Sequence, residues 1–142
     1  MFDDWPKARL ARLEGLADPL FRVTLALIFL VGGMGHFMRS GDMLARIAES
    51  PWADAVGMIG DPLLLLHLSG AVFVLAGLCL AVGWSTRLAA LALFVTLVPI
   101  TVTIHIAPGH EGPLFKNIAI LGALLHVLIM GARCCALDLR PR

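Results

Sequence analysis

The sequence predicts an all-α integral membrane protein: one domain over 1–142, a four-helix bundle with both termini on the cytoplasmic side and interfacial amphipathic helices. Three observations predict it. Of 142 residues, 59% are hydrophobic and 15% charged, and the mean hydropathy of +0.90 lies well outside the range of a soluble domain. Four apolar stretches, at about 19–38, 61–83, 86–107 and 114–132, each approach the ~20 residues needed to cross a hydrocarbon core of roughly 30 Å. Lys and Arg then set the orientation, because they are retained on the cytoplasmic side of short loops. Eight of the eleven (Lys7, Arg9, Arg12, Arg22, Arg87, Arg133, Arg140, Arg142) fall on the side of the termini, against Arg39, Arg46 and Lys116 opposite. The formal charge of +1, without a basic stripe carrying interleaved aromatics, gives no reason to expect a nucleic-acid partner.

The N-terminal segment 1–18 is not a signal peptide, because Asp3, Asp4, Glu14 and Asp18 spoil a basic leader and no small-residue cleavage site follows a short apolar run. It predicts an amphipathic helix lying in the interface. Asp4 caps it, Pro6 suits the first turn, and Leu10, Leu13 and Ala17 share one face. In the first span, helical spacing puts Arg22, Phe29, Gly32, Gly33 and His36 on one stripe, whose glycines invite a close helix neighbour. Arg22 either pairs inside the bundle or extends to lipid head groups.

Between the first two spans, Arg39 to Gly60 is too long and too apolar for a simple loop. Two short helices broken at Ser50-Pro51 fit it, covering the bundle mouth with Trp52 at head-group level. A passive interfacial anchor is the preferred reading, and a lid is the functional alternative. In the second span His67, Gly70, Val74 and Gly77 share a stripe, with His67 roughly 9 Å below the outer start at a rise of about 1.5 Å per residue. The third span carries Pro99, which removes the donor for the Val95 carbonyl and predicts a kink, with Thr101 one turn before His105. In the fourth, Lys116 and Asn117 enter near the outer surface, while His126 lies deeper and roughly opposite Asn117.

The stretch His105 to Asn117, HIAPGHEGPLFKN, therefore sets a dense polar group between two spans. Ionisable groups at membrane depth are costly and by default mark a functional site. By depth, His36, His67, His105, Lys116 and Asn117 converge in the outer half of the bundle, with His110 and Glu111 just above. These five are the candidate cofactor-binding residues. His with Lys or Asn suits the two carbonyls of a quinone and the traffic of its protons. His36, His67 and His105 are also the alternative ligand set for a metal ion or haem, since imidazole suits both, although no ligand-spacing motif such as HxxxH occurs. The bland alternative is that these groups satisfy one another and fix helix packing.

Cys79 falls near the inner end of the second span, and Cys134-Cys135 follows the fourth on the side where thiols stay reduced. There is no CxxC and no outer cysteine pair, which argues against a membrane thiol oxidase. Packed or acylated thiols are the preferred reading of Cys134-Cys135, with a redox or metal-binding role open beside it. Phosphate loops and Ser-His-Asp arrangements are absent from the sequence, and no span contains GxxxG.

Arg22 opening the first span, VGGMGHF at its end, GWSTRLAALAL with Arg87 entering the third, and GPLFKNIAILGALL leading to GARCCALDLR together resemble the DoxX family. The resemblance implies a multi-pass protein of a bacterial inner membrane, associated with oxidoreductase complexes and quinone. His67 departs from the acidic group that the resemblance leads one to expect. The function expected is thus a non-autonomous subunit of a quinone-linked electron-transfer complex. The alternatives are a structural or assembly subunit of a larger membrane complex or homo-oligomer, and a His-ligated metal or haem carrier.

Overall fold

A computed structural model of the chain describes residues 7–106 and 111–139. The expected caps Asp4 and Pro6, and His110, lie outside them. Among the described residues the secondary structure is helical, and four stretches are long and apolar enough to cross a membrane: Gly15–Met38, Pro62–Val82, Thr86–His105 and Glu111–Met130. "Inner" and "outer" below follow the Lys and Arg distribution.

Helix α1 runs unbroken over Lys7–Met38, with Pro19 inside it. The separate interfacial helix expected before the first span is therefore corrected, as the described part of 1–18 is the start of the same helix. A proline removes one donor, which membrane helices tolerate when neighbours hold the freed groups. Here Asp18 and Arg22, on either side of Pro19, are both tied to other parts of the fold. At about 1.5 Å per residue the 32 residues of α1 span about 48 Å, so its first dozen or so residues reach past a hydrocarbon core of ~30 Å.

The connection forms α2 (Ser40–Ala48) and α3 (Ala53–Ile59), separated at Ser50-Pro51 as the sequence predicts. Helix α4 (Pro62–Val82) starts on Asp61, whose carboxylate accepts from Leu64 N–H at 2.8 Å, and ends on Gly83 at φ +70°. Helix α5 (Thr86–Ile100) passes into a π-helical turn at Thr101–His105. The perturbation expected at Pro99 takes this form, a widening of the helix just past the proline. Helix α6 (Glu111–Met130) begins three residues earlier than predicted, because Pro113 sits inside its first turn, where a missing N–H costs nothing. The tail ends in a 3₁₀ turn, Leu137–Leu139.

Helix α1 packs along α4, α4 on α5, and α5 on α6. Leu25, Ala26 and Phe29 meet Phe73, Ala76 and Leu80, with Ala90, Leu93, Leu97 and Leu124 closing the core. Most other large apolar side chains face outward, as a hydrocarbon surround requires. Helices α1 and α4 approach most closely at Gly33 and Gly70: a Cβ on Gly33 would stand 2.8 Å from the Gly70 carbonyl oxygen, and one on Gly70 2.8 Å from His36 Cβ. That approach sets the depth and direction of His36.

Candidate functional site

The outer end of the bundle holds a half-open cavity of about 410 Å³. Its floor and walls are Leu65, Leu66 and Ser69 of α4, Thr96, Pro99 and Ile100 of α5, and the π turn with Thr103 and His105. Its roof is α2 and α3, which turn Met43, Arg46, Ile47, Val56 and Ile59 into it. Beside the anchoring role read from the sequence, these helices line a cavity with their inward faces. Ser50, at the corner between them, donates its hydroxyl to the Thr103 carbonyl and receives Trp52 N–H at 3.1 Å. The roof is thus pinned to the π turn.

His36 is buried, and its Nδ1 lies 2.9 Å from Ser69 Oγ and 3.2 Å from the Leu66 carbonyl oxygen. Ser69 O–H already donates to that carbonyl at 2.7 Å. A carbonyl only accepts, so the network assigns the proton of the neutral ring to Nδ1 and leaves Nε2 as the acceptor. Phe73 packs against the ring, with centroids 5.4 Å apart.

Of the five residues singled out from the sequence, His36 and His105 line this cavity and the other three do not. His67 stacks on Phe37 of α1 with ring centroids 5.3 Å apart and planes 19° apart. The cavity takes Pro62, Leu65, Leu66 and Ser69 from α4, a stripe with helical spacing, and His67 falls off it by the ~100° that separates successive helical residues. Asn117 is buried beside the site, donating from Nδ2 to Thr101 Oγ1 at 3.0 Å, while Thr101 in turn donates to the Leu97 carbonyl at 2.7 Å. It ties α6 to the π turn and lines no part of the cavity. Lys116, one position earlier, faces outward and is exposed. Among the described residues no three His, Cys, Asp or Glu side chains come together to hold a metal ion, so the His36, His67 and His105 ligand set is not assembled. His126 is exposed, edge-on to Phe21 at 6.0 Å.

Sequence reasoning missed Arg46, Ser69, Thr96 and Thr103. The hydroxyls could have been found as isolated polar residues on otherwise apolar faces. Arg46 could have been found by its place between Met43 and Ile47 on an amphipathic helix.

A second polar centre lies at the inner end. Arg22 has no exposed surface, and the reading in which it extends to lipid head groups is corrected. Its Nε donates to Asp18 at 3.0 Å, one terminal nitrogen to the Leu80 and Ala81 carbonyls at 3.1 and 3.2 Å, and the other to the Cys134 and Cys135 carbonyls at 3.0 and 3.1 Å. All five guanidinium donors are used. Asp18 also accepts Cys134 N–H at 3.2 Å, which draws the tail beneath α1 and α4. Further along the tail, Asp138 accepts Ser85 N–H at 2.6 Å, Thr86 N–H at 2.8 Å and the Thr86 hydroxyl at 2.6 Å. It caps α5, a task the Ser85 side chain does not perform. Partial desolvation pushes the Asp138 carboxyl up, but the Thr86 and Ser85 hydrogen bonds and the Arg22 charge outweigh it and hold the group below its ordinary value.

A family model described as DoxX matches residues 17–106, from the inner part of α1 through the π turn. The α6 and tail motifs lie beyond the matched residues. No curated protein and no solved structure matches the chain.

Proposed function

The chain belongs to the DoxX family, and from that premise we propose that it is the membrane subunit of a quinone-linked electron-transfer complex, with its outer cavity as the quinone site. One observation supports the reading above the others: a cavity of about 410 Å³ that is mostly apolar yet carries Arg46, Ser69 and two imidazoles in its wall. Ligand sites commonly enclose about 300–1,000 Å³ and combine apolar walls with a few convergent polar groups. A quinone ring is planar and apolar with two acceptor oxygens, so it needs apolar walls and a small number of donors. Leu65, Leu66, Ile100 and Ile47 supply the first; the Arg46 guanidinium carries donors for the second, whereas the Thr96 and Thr103 hydroxyls already donate to the Ala92 and Pro99 carbonyls.

A bound quinone would supply two-electron, two-proton redox chemistry. The chain's own residues would orient it and manage its protons. Arg46 is always charged and donates only. His36, with Nδ1 held by Ser69, accepts a proton at Nε2, and His105 provides a second imidazole in the same wall. In this reading the electron donor belongs to a partner protein.

Purification in mild detergent, with extraction of bound lipid and mass spectrometry of copurifying proteins, tests this. Quinone should accompany the wild type and fall several-fold in Arg46→Ala and in Ser69→Phe, which fills the cavity, while both variants keep their helical circular dichroism. Quinone-free protein attached to a larger complex would sink the reading and favour a structural subunit.

A further inference from the structure

The vicinal cysteines at the inner end take no part in the outer cavity, and their geometry gives them a chemistry of their own. Cys134 Sγ and Cys135 Sγ lie 3.1 Å apart, with Cys135 exposed and Cys134 half-buried. Cys135 stands at φ +48°, a left-handed backbone conformation that side-chain-bearing residues rarely adopt. The carbonyls of both cysteines accept the same terminal nitrogen of Arg22. Whatever alters the peptide unit between the two thiols therefore also alters the guanidinium clamp that joins α1, α4 and the tail.

We propose that Cys134 and Cys135 form a reversible thiol–disulfide exchange site for small organic disulfides, and that closing the vicinal disulfide loosens the Arg22 clamp. The exposed Cys135 thiolate attacks one sulfur of the disulfide RSSR, forming a Cys135–S–S–R bond and releasing one RS⁻. Cys134 then gives its proton to solvent, and its thiolate attacks Cys135 Sγ, forming the Cys134–Cys135 bond and releasing the second RS⁻. In sum, two protein thiols lose two protons and two electrons, and RSSR becomes two RSH. The hydrogen bond to Cys135 pushes the Cys134 thiol up, with desolvation and the charges of Cys135 and Asp18 adding to it. Cys135 is accordingly the first nucleophile, and the closing step quickens as pH rises. Adjacent Cα atoms stand ~3.8 Å apart, shorter than the ~4.4–6.8 Å usual for disulfides. The closed form is strained and easily reduced, which suits a switch that rests open among reduced thiols.

The test uses the full chain in detergent carrying Cys79→Ser, so that only this pair reacts, with 4,4′-dithiodipyridine as the disulfide. The proposal expects two equivalents of thiopyridone per chain, an intact mass lower by two hydrogens with no adduct, and full reversal by dithiothreitol. Adding Cys134→Ser should give one equivalent and a stable Cys135 adduct. Trypsin cleavage after the exposed Arg133 should quicken several-fold in the closed form and return to its starting rate on reduction. Two adducts retained on one chain, or no reaction at either thiol, would overturn the exchange site. Closure with an unchanged cleavage rate would overturn the link to Arg22.

Discussion

Replacing Arg22 with methionine, similar in reach but uncharged, is the sharpest test of the inner clamp. The substitution removes five hydrogen bonds at 3.0–3.2 Å from a side chain with no exposed surface, and it leaves Asp18 without its cation. Breaking a buried ion pair from one side costs about 3–5 kcal/mol. Four carbonyls also lose a donor, at ~1–3 kcal/mol for each that stays buried. Only the Leu80 bond is wholly buried, and the rest lie where water can re-enter, so these losses add little and about 4 kcal/mol is expected. Arg22→Lys keeps the charge but lacks the planar fork, and should recover less than half of that. Asp18→Asn breaks the same pair from the other side, leaving the buried guanidinium without its anion, and should cost a comparable amount. Unfolding of the purified protein in increasing dodecyl sulfate, followed by circular dichroism, gives the three values side by side. A cost for Arg22→Met below about 1 kcal/mol, the level of an exposed ion pair, would refute the buried clamp.

Three further predictions follow from particular contacts. Gly70→Ala places a Cβ 2.8 Å from His36 Cβ and 3.1 Å from the Gly33 carbonyl oxygen; overpacking of this kind costs about 1–3 kcal/mol, and the same denaturation should show it, with bound quinone falling in parallel as His36 is displaced. Asn117→Leu removes the donor to Thr101 and should cost about 1 kcal/mol while leaving the cavity and its occupancy in place. Asp138 is held below its ordinary value of 3.8, so its contribution to stability is complete above that value and is lost as pH falls through the lower, folded value. The wild type should lose stability in that acid window, and Asp138→Asn, less stable at neutral pH, should lose less there; parallel pH profiles would contradict the cap.

Periodicity made much of this fold legible. The stripe of Arg22, Phe29, Gly33 and His36 was readable because a helix repeats its face every third or fourth residue, and those four are buried together. Ser50-Pro51 was readable as a break because proline restrains the residue before it. Other features depend on contacts distant in sequence. Asp138 reaches Thr86 across 52 residues, and no local pattern announces a cap supplied from so far away. At the π turn after Pro99, Thr101 and Thr103 are met by Asn117 and Ser50 from other parts of the chain. Between neighbours such as Leu66 and His67 composition favoured the polar residue, and Lys116 and Asn117 were both singled out, whereas helix rotation decided which residue faces inward. The cavity therefore takes His36 and His105 of the five residues singled out, while His67 and Lys116 face away from it and Asn117 is buried beside it.

The Arg22 clamp also has a consequence for the order in which this protein can be finished. The guanidinium is made with α1, two of its carbonyl partners arrive with the end of α4, and the other two arrive only with Cys134 and Cys135. A lone cation is expensive within the membrane, so during synthesis Arg22 has reason to stay near the surface, and α1 to sit loosely, until the tail emerges and folds back. The first span and the segment that follows the fourth close on one side chain, which makes final consolidation of the bundle an event that follows synthesis of all four spans.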